Sequence, residues 1–204
     1  MAVLIIVLIV ISGLTNMVAD VLMVSGKDYK RKDQTRIEQV NNTPDNHLYL
    51  SGIIGMISLS LWMGVVYYLS YIEGTIGIIV MIAYAMFVGS IMVFHVVCSN
   101  ILLLFKHSEI GEKKLTKLLM FYGAMCVLFS SAYSGFMIYL GVTGVLRMHF
   151  IHYITLPIFS TLIIQMLLGK IIKIKHFDSI AGTLSMLVSM LLTIHIMITN
   201  FNIW

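Results

Sequence analysis

Charge is what this sequence has least of. Only 11% of its 204 residues are Asp, Glu, Lys or Arg, against roughly a quarter in a soluble globular domain. That scarcity excludes a soluble enzyme, a disordered chain and a nucleic-acid-binding domain, each of which needs far more solvated charge. No polar stretch is long enough to fold around a core of its own, so there is no room for a separate soluble domain. Proline occurs twice, leaving little to interrupt long helices. The two cysteines, Cys98 and Cys126, form no CxxC pair. They supply neither a disulfide framework nor a redox motif, and read as small apolar side chains. Also absent are GxSxG, a P-loop, a dinucleotide fingerprint, HExxH and a paired acidic motif.

What remains is apolar surface. Hydrophobic residues make up 59% of the chain and the mean hydropathy is +0.98. A bilayer crossing takes about 20 mostly apolar residues, so this content suits about six. The segments are Ala2–Val24, His47–Tyr71, Gly77–Phe105, Leu115–Gly141, His149–Gly169 and Ile180–Trp204. Each must satisfy its own backbone in lipid, and the alternation of a membrane β-barrel is missing, so all are expected to be helices. The expected fold is all-α: one polytopic transmembrane bundle of six helices covering residues 1–204. The third segment is longer than a perpendicular crossing needs, and should tilt, bend near Gly89-Ser90 or project from the membrane.

The basic residues orient the bundle. Twelve of the thirteen fall after odd-numbered segments: Lys27, Lys30, Arg31, Lys32 and Arg36; Lys106, Lys113, Lys114 and Lys117; Lys170, Lys173 and Lys175. Only Arg147 lies elsewhere. The positive-inside rule makes those loops cytoplasmic and puts both termini outside, in a cytoplasmic membrane. The first segment has no basic n-region, and Asp20 stands where a cleavage site would fall, so it is read as a retained helix. The interleaved acids Asp28, Asp33 and Glu38 make Lys27–Arg36 a solvated loop rather than a lipid-binding patch. The sequon-like Asn41-Asn42-Thr43 lies on the predicted cytoplasmic side.

Helices in lipid pack through small residues. Four-residue pairs at Ser51/Gly55, Ala85/Gly89, Ser131/Gly135 and Ser185/Ser189 are the expected contact points. Pro157 should kink the fifth segment.

Ionisable and polar groups inside spans are costly and are therefore the functional candidates. They fall at two depths. The inner level holds Asn16 and Asp20 on segment one, one turn apart, with His95, Cys98 and Asn100 on segment three and Gln165 on segment five. An aspartate and a histidine at one depth on different helices can share a proton, bind a cation or hold a polar head group. The plainer alternative has Asp20 solvated at the interface and His95 bonded to a carbonyl. The outer level holds Glu73, Arg147, His149, His152 and His195. His149 and His152 share a helix face and with His195 or Glu73 could bind a transition metal, but no tight ligand signature accompanies them. No metal and no cofactor is assigned, and interfacial histidines beside the Tyr67, Tyr68 and Tyr71 belt are preferred. Segments three and six also align at an offset of 100 residues, matching His95 with His195 and Asn100 with Asn200, as an inverted repeat would.

The chain resembles an uncharacterised family of small bacterial multi-pass membrane proteins. The resemblance is carried by Asn16-Met-Val-Ala-Asp20 ending the first helix, a polar loop, the glycine-bearing Ser51–Gly64, then Phe94-His95 and Thr155-Leu-Pro157. It implies a polytopic bacterial membrane protein and no particular chemistry. The expected function is binding or transport of a small molecule, ion or lipid head group, with membrane lipids around it and no nucleic-acid partner. A membrane-embedded lipid-modifying enzyme and a non-catalytic sensor, immunity or interaction subunit are the rival classes.

Overall fold

The computed structural model describes residues 2–26, 41–108, 111–164 and 177–203. All regular structure among them is helical, without a strand. The elements are α1 (Ala2–Met23), α2 (Asp45–Ser60), a 3-10 turn (Leu61–Gly64), α3 (Val65–Leu69), α4 (Gly74–Lys106), α5 (Glu112–Val142), α6 (Phe150–Ile154), α7 (Pro157–Thr161) and α8 (Phe177–Phe201). Among the described residues, five stretches are long and apolar enough to cross a membrane: Val3–Met23, Asp45–Leu69, Gly74–Lys106, Lys113–Val142 and Ile180–Phe201.

The punctuation follows the residues. Pro44, in extended backbone, precedes α2, and Asp45 places a carboxylate on its first turn, where the helix dipole favours one. At the far end of α5, Gly144 sits at φ 76, a left-handed value that glycine adopts without a Cβ penalty. Between them α4 runs unbroken for 33 residues through Gly89-Ser90. At 1.5 Å per residue it is about 50 Å long, so its excess length is taken up by tilt or projection rather than by a bend.

The fifth predicted segment, His149–Gly169, departs from a single rod. Pro157 has no N–H to donate and forces the preceding residue out of helical geometry. Leu156 is extended (φ −58, ψ 151), so α6 ends before it and α7 begins at the proline. The expected kink is thus a full break between two five-residue helices, with residues 165–176 outside the described part. The Ser134 hydroxyl accepts the backbone N–H of Ile158 at 3.4 Å, a side-chain partner just past the break.

The core lies where α2, α4, α5 and α8 meet. Phe87 stacks on Tyr133 with centroids 5.8 Å apart, and Tyr84 meets Tyr133 edge-on at 5.2 Å. Trp62, on the 3-10 turn, is fully buried beside them. The 3-10 turn interrupts the i→i−4 ladder, and the Tyr84 hydroxyl donates to the Trp62 carbonyl at 2.8 Å. The Trp62 indole N–H has no partner among the described residues. A second apolar cluster, Leu48, Cys98, Leu102, Leu103, Phe105, Leu115 and Leu119, fills the end of the bundle that carries Lys106. Opposite faces are bare: Val3, Val7, Ile11, Leu14 and Val18 form one exposed stripe on α1, as contact with acyl chains requires.

Only some of the small-residue pairs make helix contacts. Ser51 and Gly55 are buried, as are Ser185 and Ser189. Gly89 and Gly135, by contrast, have open space where a side chain would project. Four-residue spacing puts two small residues on one face, but it does not say whether that face looks at a helix or at lipid.

Candidate functional site

Asp20, in the last turn of α1, and His95, two-thirds along α4, come together inside the bundle. The His95 Nδ1 lies 3.3 Å from the Asp20 Oδ1, and both side chains are largely shielded, at 7% and 14% exposure. The approach is made by α2. A Cβ built on Gly55 would overlap the His95 ring, so only glycine lets α4 come this close. One turn earlier, the Ser51 carbonyl lies 3.1 Å from His95 Nε2 and the Ser51 hydroxyl 3.4 Å. The α8 helix closes the other side. Its Thr183 hydroxyl donates to Asp20 Oδ2 at 2.5 Å and accepts from the Asn16 amide at 2.7 Å. The Asn16 Oδ1 in turn accepts from Ser58 of α2 at 3.1 Å. Five side chains from four helices therefore form one chain ending on the ring held by Ser51.

The directions of these bonds limit where hydrogens sit. A carbonyl oxygen only accepts, so the shorter Ser51 contact requires a hydrogen on His95 Nε2. Asn16 donates to Thr183, which leaves the Thr183 hydrogen for Asp20. Asp20 Oδ1 and His95 Nδ1 stand at ion-pair distance, and a carboxylate in a low-dielectric interior is costly unless such a partner and hydrogen-bond donors surround it.

The other inner-level residues are placed differently. Asn16 is buried in the network. Cys98 packs into the second apolar cluster, Asn100 is exposed, and Gln165 lies outside the described residues. Thr183 and Ser58 were not singled out in the sequence, and Ser51 only as a small packing residue. Hydroxyls are common in spans, where they usually bond their own helix backbone, as Ser12, Ser90 and Ser130 do here.

At the end near residue 106, a latch ties α4 to the start of α2. Asp45 bonds Lys106 at 2.7 Å and His107 at 2.6 Å, and Lys106 also donates to the Thr43 carbonyl at 2.6 Å. Nearby, Ser25 meets His47 Nδ1 at 2.7 Å.

The outer-level residues do not form a single site. Asn200 accepts from the Arg147 backbone N–H at 2.7 Å and donates to its carbonyl at 3.2 Å, pinning the loop before α6 to the end of α8. Glu73 is the exposed residue preceding α4. His149, His152 and His195 do line up, with ring centroids 5.6 and 5.5 Å apart. Only His152 is buried. Its Nδ1 accepts the His149 backbone N–H at 3.0 Å, so its ring hydrogen is on Nε2 and neither nitrogen offers a lone pair to a metal. No group of three or more His, Cys, Asp or Glu suited to a metal occurs among the described residues. His195, aligned with His95 as a repeat, is exposed where His95 is buried. Compared with family models, curated proteins and solved structures, the chain shows no match in any of the three.

Proposed function

We propose that this chain is a six-span protein of the bacterial cytoplasmic membrane, with both termini outside, that binds or transports a small molecule or ion through the Asp20–His95 site. The observation that carries the reading is the shielded contact between two ionisable side chains from different helices, Asp20 and His95, at 3.3 Å. A carboxyl and an imidazole side by side inside a bundle form an element that can charge and discharge as a solute arrives or leaves. Two interrupted segments support it, the 3-10 turn at Leu61–Gly64 and the break at Pro157; discontinuous helices are a recurrent feature of transporter cores.

The test is a vesicle assay. Reconstituted protein is given a pH gradient, read by a dye, and a panel of monovalent cations, amines and amino acids. Wild-type protein should collapse the gradient with at least one solute, and Asp20→Asn should not. Collapse with none of them, or equal activity of the variant, would reject transport. One observation favours a second reading, a non-catalytic sensor or interaction subunit: every bond of the Asp20 network is closed by a protein group, with Gly55 against the ring. On that reading the network only joins helices, and Asp20→Asn would leave every activity of the protein intact.

A further inference from the structure

The short helix α6 is seated by a titratable group. Of its five residues, Phe150–Ile154, His152 alone is buried, while Phe150 and Ile151 are exposed. Isolated helices need about 12–15 residues to persist in water, so the place of α6 depends on what anchors it. His152 Nδ1 accepts the His149 backbone N–H at 3.0 Å and closes the first turn. The His149 ring lies 5.6 Å from the His152 ring, and the His195 ring of α8 lies 5.5 Å from it. Burial first, then His195 and His149, disfavour a charge on the His152 ring. The α7 helix, Pro157–Thr161, brings no titratable side chain to it. Among the described residues no carboxylate pairs with the ring: Glu73 is exposed at the start of α4, and Arg147 is tied through its backbone to Asn200.

A proton added to His152 has one place to go, because Nε2 already carries a hydrogen. It takes the Nδ1 lone pair and sets a second N–H against the His149 N–H. The imidazolium is then buried beside two further histidines with no anion to offset it. The segment is also built to move. It is tied at Arg147 by Asn200, and at its other end Leu156 is extended before Pro157. The α7 helix beyond the break has its own contacts, Ser134 to the Ile158 N–H and Ser185 to Thr161. We propose that α6 is an acid-operated flap: protonation of His152 releases Phe150–Ile154 from α8, with Leu156–Pro157 as the hinge. Each opening takes up one proton from water. Neutral His152 stabilises the closed position. That stabilisation is complete above the ordinary imidazole value of about 6.5 and is lost as pH falls below it. The flap is independent of the Asp20–His95 pair, and the failure of either leaves the other standing.

The experiment is a spin-label distance measurement on the full chain in detergent, in a background with Cys98 and Cys126 replaced. Labels are carried by Ile151→Cys on α6 and Thr199→Cys on α8, both exposed positions. A control pair, Ile11→Cys with Val127→Cys, lies on α1 and α5. Distances are compared between about pH 8 and about pH 5, either side of the ordinary imidazole range. The α6–α8 pair should show one short distance at the higher pH and a longer population at the lower, with the control unchanged. His152→Asn keeps an oxygen acceptor where Nδ1 stands and cannot titrate, so it should stay closed at both. His195→Gln removes one of the charges that oppose the closed, protonated form, and should shift the midpoint of opening to lower pH. The proposal is overturned if the wild-type distance does not change, or if folded His152→Asn opens with acid as the wild type does. A control distance lost together with the other would mean general acid unfolding and would also overturn it. Should His152→Asn fail to fold, His195→Gln decides: a midpoint that stays or rises rejects the flap.

Discussion

The two nitrogens of His95 point at different helices: Nδ1 meets Asp20 of α1 at 3.3 Å, and Nε2 meets the Ser51 carbonyl of α2 at 3.1 Å. One imidazole thus joins three helices, α1, α2 and its own α4.

This joint predicts strong coupling between its members. Asp20→Leu strands the His95 Nδ1 and the Thr183 hydroxyl, and should cost about 2–5 kcal/mol, the range for breaking a buried pair or leaving polar groups unpartnered. Adding His95→Leu should then cost much less than it does alone. A double-mutant cycle on stability in detergent should give a coupling of about 1–3 kcal/mol. Additive losses would mean that the two residues do not interact.

Glycine substitutions should separate a tight helix crossing from a lipid face. Gly55→Ala puts a methyl into the His95 ring and should cost several kcal/mol, or about 2 if α2 shifts outward. Gly135→Ala meets nothing within 4 Å, and by helix propensity should be neutral or stabilising by up to about 1 kcal/mol. Thermal melts of the two variants should therefore move apart; equal shifts would contradict the crossing.

The aromatic core offers a cleaner measurement. Tyr84→Phe removes the hydroxyl that serves the Trp62 carbonyl at 2.8 Å, with little change in volume. It should destabilise by about 1–3 kcal/mol. Tyr133→Phe loses a longer, 3.1 Å bond to Thr193 and should cost less, about 1 kcal/mol. Chemical unfolding of both variants beside the parent would rank them.

Orientation has its own test. A single cysteine added at the C-terminus, in a background with Cys98 and Cys126 replaced, should react with a membrane-impermeant maleimide in intact cells. Protection there, with labelling only after permeabilisation, would reverse the proposed topology.

How much of this was legible in the sequence depended on the kind of signal. Asp20 and His95 stood out because ionised groups are rare in spans, and the positive-inside rule put them at one depth, where the structure joins them. Thr183 was hidden because a hydroxyl in a span is ordinary and its usual partner is its own backbone. Small-residue spacing found the Ser51/Gly55 crossing but also pointed to Gly89 and Gly135, which face outward, because periodicity reports a face and not its neighbour. The histidines at 149, 152 and 195 do gather, yet the hydrogen bond that takes up the His152 Nδ1 depends on the start of α6, which no residue pattern announces.

The closeness of Gly55 to the His95 ring has a consequence for timescale. Side-chain flips take picoseconds to nanoseconds, but only where there is room to turn. With α2 against one face and both nitrogens in contact with neighbours, the ring cannot turn in place. Any change of partner at the pair then has to wait for α2 to draw back from α4, a collective motion of microseconds to milliseconds. The clock of the site is set by two backbones parting, and a bulkier residue at position 55 would change its rate as well as its stability.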